Sequence, residues 1–232
     1  MKRIIAAALA IVLGCCGWTP TRQAVPVSRE MTETKPCVAL TFDDGPSRHT
    51  ARLLDGLRER GVQATFFLLG CHLEGNEELV KRMRREGHQI GSHTYDHALL
   101  TELSTAAALT ELARCDLALC TLLGEGEYWV RPPYGAISGE VCGALDVPVL
   151  GWSVDPRDWE CRDAAQVLSQ IAREARDGDI ILLHDCYGST VDAALQAVDL
   201  LHSRGFEVVT ASELLRRKGI TPEAGRIYHQ GR

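Results

Sequence analysis

The sequence holds no Cys-x-x-Cys pair, no Gly-x-Ser-x-Gly turn and no internal repeat, and the apolar run Ile4–Gly14, which leads into Cys15, is 11 residues. The missing cysteine pairs exclude a zinc ribbon, whose ligands come at that spacing. The missing serine elbow argues against a serine hydrolase of the α/β type. An 11-residue run falls well short of the about 20 residues that a membrane-spanning helix needs. Basic residues are also in deficit: 25 Lys and Arg against 31 Asp and Glu, a net charge of −6, which leaves no basic footprint for nucleic acid. With 45% hydrophobic and 24% charged residues the chain is not disordered, collagenous or a coiled coil overall. At 232 residues it is long enough to bury a large core without disulfides, so its nine cysteines are expected mostly as small buried apolar side chains.

The apolar run has a purpose of its own. Lys2 and Arg3 precede it, and it ends in Val12-Leu13-Gly14-Cys15. A positive start, a short apolar core and a small residue before a cysteine read as an export signal (residues 1–15) with a lipoprotein-type box and Cys15 as the lipidated residue. Residues 16–35 are polar and carry prolines, and read as a flexible tether. The catalytic domain is expected over 36–218 and a short polar tail over 219–232. The protein is then expected to be exported to the cell envelope or beyond, to act as a monomer, and to touch membrane only through the lipid at Cys15.

From Cys37 onward, apolar β-type runs alternate with amphipathic helical stretches. Strands are expected at Cys37–Phe42, Gln63–Leu69, Gln89–Ser92, Tyr128–Arg131, Pro148–Trp152, Asp179–His184 and Phe206–Thr210. Helices are expected at Thr50–Arg60, Glu77–Glu86, Thr101–Leu123, Ala164–Arg176 and Val191–Arg204, with a last one capped by Ser212 and running to Lys218. Alternation without hairpins implies a parallel sheet. About seven units in so short a chain imply a distorted (β/α) barrel of about seven parallel strands, in a single catalytic α/β domain.

The chemistry-bearing residues fall at the carboxyl ends of these strands: Asp43 and Asp44, His93 and His97, Arg131 to Gly135, Asp155 to Trp159, and His184 with Asp185. In a parallel barrel those ends converge on one face, where active sites are built. Each motif alone has a bland reading. Asp43-Asp44-Gly45-Pro46 suits a turn, His93 and His97 a surface pair, Trp152 and Trp159 core or rim aromatics, and His184 a satisfied core histidine. Five coincidences on one face are harder to accept. The i, i+4 spacing of His93 and His97 sets two imidazoles on one side, as metal ligands require. One carboxylate and two imidazoles leave open positions on a divalent ion, a pattern of catalytic zinc that also suits non-haem iron. A spare aspartate as base and a further histidine as acid around one water describe hydrolysis of a carbonyl compound. His49, His72, His88, His202 and His229 are taken as surface or structural.

The segments Thr41-Phe42-Asp43-Asp44-Gly45-Pro46, Ser92-His93-Thr94-Tyr95-Asp96-His97, Arg131-Pro132-Pro133-Tyr134-Gly135, Asp155-Pro156-Arg157-Asp158-Trp159 and Leu182-Leu183-His184-Asp185 resemble, in order and spacing, the five motifs of the NodB-homology polysaccharide deacetylases, carbohydrate esterase family four. The resemblance covers roughly Pro36 to Lys218. It implies Asp43 as general base, Asp44, His93 and His97 as ligands of one divalent metal (zinc first, with cobalt and nickel suited to the same donors), and Arg131 as the partner of Asp43. It implies that the Tyr134 N–H assists the oxyanion, that His184 is the acid oriented by Asp158, and that Trp159 and Leu182 line the acetyl pocket. The implied reaction is hydrolysis of N-acetyl groups from a cell-wall polysaccharide, with peptidoglycan N-acetylglucosamine ahead of chitin oligomers and acetyl xylan. Outside that class stand an inactive glycan-binding module and an amidohydrolase of small cyclic amides. Acetate release as against mere retention on glycan separates enzyme from binding module.

Overall fold

The computed structural model describes residues 35–232; the export signal and nearly all of the tether lie outside the described residues. In chain order the elements are β1 (Cys37–Gly45), α1 (Thr50–Glu59), β2 (Thr65–Leu68), α2 (Glu77–Arg85), β3 (Gln89–Ser92), α3 (Thr105–Leu123), α4 (Gly139–Gly143), β4 (Val149–Leu150), α5 (Asp158–Cys161), α6 (Ala164–Glu174), β5 (Ile180–His184), α7 (Gly188–Ser203), β6 (Glu207–Val209), α8 (Ala211–Arg217) and β7 (Ile227–Tyr228).

All seven strands pair in parallel. β1 is central: it takes β5 on one edge, and β2 and β6 at different heights, and β2 continues to β3. The ring closes through single parallel bridges, Ser92 to Val130, Val130 to Val149, and Val154 to Ile181. The result is a (β/α) barrel, tight on the β1 side and stretched between β3 and β5, as expected from the alternation of elements. The side-chain period of two explains what fills it. On β1, Val38, Leu40 and Phe42 face the helix layer, where they meet Leu53, Leu54 and Leu57 of α1 and Val198 and Leu201 of α7. The alternate residues Cys37 and Ala39 face the barrel interior with Phe67, Trp129, Leu150 and Ile180. The same alternation carries Thr41 and Asp43 inward, one layer above. β5 repeats the scheme, with Ile181 and Leu183 outward and Ile180, Leu182 and His184 inward. A strand buried on both faces must read as a near-continuous apolar run, and these two do.

The helices carry the spacing that the sequence promised. In α3, Ala108, Leu112, Cys115 and Leu119 are buried, and Ser104 caps the first turn by accepting from the Ala107 N–H. That cap moves the helix start from the expected Thr101 to Thr105; Leu100–Glu102 forms a separate 3-10 turn with Leu100 buried. α7 begins at Gly188, three residues before the expected start, and α8 is capped by Thr210 rather than Ser212. Tyr128–Arg131, expected as a strand, pairs only through Val130. The stretch 219–232, expected as a polar tail, is instead part of the fold. Its strand β7 pairs with β4, Tyr228 is buried, and the Gly231 N–H donates to the Gly178 carbonyl. Two residues are too few to show a period, which hid both β7 and the true extent of β4. Cys37, Cys115 and Cys142 are buried as expected, Cys71 is exposed, and no two cysteines among the described residues form a disulfide. Among the described residues no helix is long and apolar enough to cross a membrane.

Candidate active site

Parallel register sets the two central groups side by side. Residues Ala39 to Asp43 pair one for one with Ile180 to His184, so Asp43 and His184 are direct neighbours at the carboxyl ends of β1 and β5. The register with β2 then slips between Phe42 and Gly45. Within that irregularity Asp44 takes a left-handed φ of 69°, so two consecutive aspartates can both serve the same cavity. His97 (φ 58°) and Tyr134 (φ 60°) share this conformation. Non-glycine residues rarely adopt it, and such strain gathers where the surroundings fix a side chain for use.

The three nominated ligands come together. The ligand atoms of Asp44, His93 and His97 lie within 4.8 Å of one another. Oδ1 of Asp44 is 3.5 Å from Nε2 of His93 and 3.3 Å from Nε2 of His97. The His93 Nδ1–H donates to the Arg131 carbonyl at 2.7 Å, which leaves the Nε2 lone pair facing Asp44, the outer-shell arrangement usual for a metal-binding imidazole. Burial, then the neighbouring His93, hold the His97 imidazole below its ordinary pKa, which favours the neutral form that ligation requires. Oδ1 of Asp44 is buried with no hydrogen-bond partner. A buried carboxylate oxygen with no donor is costly, and an N,N,O donor set around it fits a divalent cation of the zinc, cobalt or nickel type.

Beside this set lie two further buried pairs, Asp43 with Arg131 and His184 with Asp158. Arg131 is fully buried and binds downward through four acceptors: Thr41 Oγ1 (2.7 Å), Asp43 Oδ1 (2.8 Å), the Leu150 carbonyl (3.2 Å) and the Gly151 carbonyl (2.8 Å). Its guanidinium also lies 4.4 Å from the Phe67 ring centre. Burial pulls its pKa below the usual arginine value, with Asp43 opposing. Such a pair positions more than it stabilises, but removing one partner strands the other charge. Arg131→Met is therefore expected to cost about 3–5 kcal/mol of stability, read as a lowered urea midpoint. A loss under 1 kcal/mol would mean that Asp43 does not need the cation.

His184 is held by Asp158, which is wholly buried. Asp158 Oδ1 accepts from His184 Nδ1–H at 2.8 Å, while Oδ2 accepts from the His184 backbone N–H (2.8 Å) and from Thr190 Oγ1 (2.7 Å). Burial pushes the imidazole pKa down, but the Asp158 hydrogen bond and charge, with Asp43 and Asp44 further off, outweigh it and raise the value to about 9.

These groups open into a cavity of about 410 Å³ walled by Tyr134, Trp152, Asp155, Trp159 and Leu182. Trp159 and Tyr134 stand at the rim, 43% and 68% exposed, and the His97 ring meets the Tyr134 ring edge-on at 4.9 Å. All ten nominated site residues are thus in or immediately beneath one cavity. Several contributors were given no catalytic, ligand or lining role from the sequence. Trp152 completes the apolar wall. Thr41 and Thr190 fix Arg131 and Asp158; Thr41 lies two positions before Asp43 on the same strand face, a signal that was available. Asp185 is buried, accepts from Thr50 Oγ1, and crowds Gly45, where a Cβ would lie 2.8 Å from its Oδ1. Burial drives its carboxyl pKa up to about 7. His72, taken from the sequence as a surface or structural residue, donates from Nδ1 to the Asp44 carbonyl at 3.0 Å. His88, by contrast, is a core histidine: burial lowers its pKa to about 4 and its Nδ1 accepts from the Ala64 N–H.

Residues 30–146 match the family model described as polysaccharide deacetylase. A peptidoglycan-N-acetylglucosamine deacetylase of Listeria monocytogenes is 40% identical over 187 residues, 80% of this chain, although the chain spans only 40% of that protein's length. A solved deacetylase, T48 with substrate, is 40% identical and superposes with a TM-score of 0.80 over 84% of this chain and 96% of its own. A family 4 acetyl xylan esterase from Clostridium thermocellum, solved with a cobalt ion, is 32% identical with a TM-score of 0.79, covering 84% of this chain and 98% of its own. The chain belongs to the polysaccharide deacetylase family, carbohydrate esterase family four.

Proposed function

We propose that the protein removes N-acetyl groups from a cell-wall polysaccharide, with N-acetylglucosamine of peptidoglycan as the leading substrate. The observation that carries this reading is the meeting of Asp43 and His184 in register beside an Asp44–His93–His97 donor set whose carboxylate oxygen lacks any other partner. The listerial relative named for peptidoglycan N-acetylglucosamine favours that glycan. An inactive binding module would have no use for a complete base, ligand set and acid. Export to the envelope, with a lipid on Cys15, completes the proposal and agrees with a wall substrate.

Asp44, His93 and His97 would hold one divalent cation, zinc first, which when bound would polarise the acetamide carbonyl and the attacking water. The residues of the chain do the rest. The Asp43 carboxylate, fixed by Arg131 and Thr41, takes a proton from the water as its oxygen attacks the carbonyl carbon. The Tyr134 N–H donates to the oxyanion that develops. Leu182, Trp152 and Trp159 enclose the methyl group and exclude bulk water. His184 then delivers a proton to the amide nitrogen, the C–N bond breaks, and acetate and a free amine leave. Asp158 keeps the His184 ring turned and charged for that delivery.

Asp158 gives this account a pH signature. A general acid works only while protonated, so activity falls as pH climbs through its pKa. Asp158→Asn removes the anion that raises the His184 pKa, so the alkaline limb of the kcat profile is expected to move to lower pH. An alkaline limb unmoved by the substitution would exclude His184 as the acid. The substrate itself is tested by acetate release from peptidoglycan, chitin oligomers and acetyl xylan under one set of conditions. Peptidoglycan is expected to lead, and release from xylan alone would replace it.

A further inference from the structure

Asp44 has no partner in the register of β1 with either neighbour: pairing with β2 breaks between Phe42 and Gly45, and pairing with β5 ends at Asp43. Its φ of 69° is one that a non-glycine residue rarely keeps unless its surroundings enforce it. The enforcing contact comes from the 3-10 turn that follows β2, Gly70–His72. The His72 Nδ1–H donates to the Asp44 carbonyl at 3.0 Å, from a ring that is otherwise exposed. The same turn is tied to the segment that carries the two imidazoles. Its Gly70 N–H donates to the Thr94 carbonyl and its Cys71 N–H to the Tyr95 carbonyl, both at 3.0 Å. Glycine permits that approach, since a Cβ at position 70 would collide with the Tyr95 ring. On its other side the His72 carbonyl accepts from Asn76 Nδ2 at 2.9 Å.

We propose that His72 is a positioning residue of the metal centre, whose ring fixes the main chain of Asp44 so that Oδ1 faces His93 and His97; the proposal rests on reading those three residues as ligands of one divalent cation. Two features of the contact point to this role. His72 binds the carbonyl of Asp44 and not its carboxylate, so it adds no fourth donor and leaves Oδ1 free. Its turn is also the one piece of chain that grips both parts of the donor set, the His93–His97 segment through two main-chain bonds and Asp44 through the ring. Donors held in place before an ion arrives lose less freedom when it binds, so such a brace is felt as affinity. Without the ring, the peptide after Asp44 loses a restraint on its left-handed conformation. Relaxation toward ordinary extended backbone then swings Oδ1 away from the two nitrogens it now faces at 3.5 and 3.3 Å. His72 does not line the catalytic cavity, so it acts through Asp44 and not on the substrate.

The test uses the full chain, stripped of metal, with zinc alone as the probe. Zinc affinity is read by competition with a chelating dye in wild type, His72→Ala, His72→Asn and His72→Gln. Asn carries an N–H donor where histidine has Nδ1, whereas Gln carries it one bond further out. His72→Ala and His72→Gln are expected to lose between about tenfold and about a hundredfold in zinc affinity, the size usual for a residue that orients a metal ligand. His72→Asn is expected to recover most of that loss. At saturating zinc the KM for N-acetylated chitotriose is expected to stay at the wild-type value. Wild-type zinc affinity in His72→Ala, or an equal loss in His72→Asn, would overturn the proposal, as would a raised KM with zinc affinity unchanged. If His72→Ala lowers the urea midpoint, the comparison of His72→Asn with His72→Gln decides, and equal affinities of those two would overturn it. A wild-type chain that takes up no zinc would sink the ligand reading and this proposal with it, an outcome distinct from an unchanged His72→Ala. If zinc binds but no acetate is released, the deacetylase reading fails alone, and the four affinities still decide the role of His72.

Discussion

Asp43→Asn is expected to lower kcat for acetate release by about a thousandfold while leaving one divalent ion per chain bound. The two halves of that result follow from different atoms. Asn is no base, so proton removal from the attacking water is lost. Its carbonyl oxygen still accepts from Arg131 as Oδ1 of Asp43 does at 2.8 Å, so the buried guanidinium keeps an acceptor and the loop keeps its shape. Asp44, His93 and His97 are untouched, and metal content is the internal control. Steady-state acetate release and plasma-emission metal analysis on the same preparation check both. Near-normal turnover would remove Asp43 from the role of base. Loss of the metal together with activity would mean that Asp43 is a ligand, and that the division between the two aspartates is wrong.

The second large effect is expected from Asp44→Ala and His97→Ala. Each removes one of three donors, and binding a divalent ion with two should weaken affinity so far that the purified variant holds well under a tenth of an equivalent. Activity should fall to the level of chelator-treated wild type, a loss of several powers of ten, since the ion contributes several kcal/mol to the transition state (about 1.4 kcal/mol per tenfold). Excess zinc or cobalt should restore His97→Ala in part. Asp44→Ala should be harder to rescue, because it removes the negative charge. Either variant retaining both metal and turnover would place the ion elsewhere.

Much of this site was legible because it obeys one rule: reactive residues stand at the carboxyl ends of parallel strands. Arg131 and His184 each follow an apolar run and His93 follows a short strand, and these survive in the fold as the Val130 bridge, β5 and β3. The fit of five ordered motifs then assigned roles that spacing could not. What escaped the reading escaped for physical reasons. The register slip after Phe42, which lets Asp43 and Asp44 share a cavity, depends on pairing with β2 and leaves no mark in local sequence. Trp152 looks like any core aromatic until the chain around it closes the barrel. Thr190 holds Asp158 across 32 residues of sequence. β7 is two residues long, and its value lies in what it covers, which no periodicity could reveal.

The most direct test is a single titration. Full-length protein is stripped with chelator, refilled with zinc in steps, and at each step assayed for bound metal and for acetate released from N-acetylated peptidoglycan. The account predicts no release from stripped protein, and release that rises in proportion to bound metal and saturates at one ion per chain. Release that persists in metal-free protein, or its absence from peptidoglycan, chitin and xylan alike at full occupancy, would contradict it.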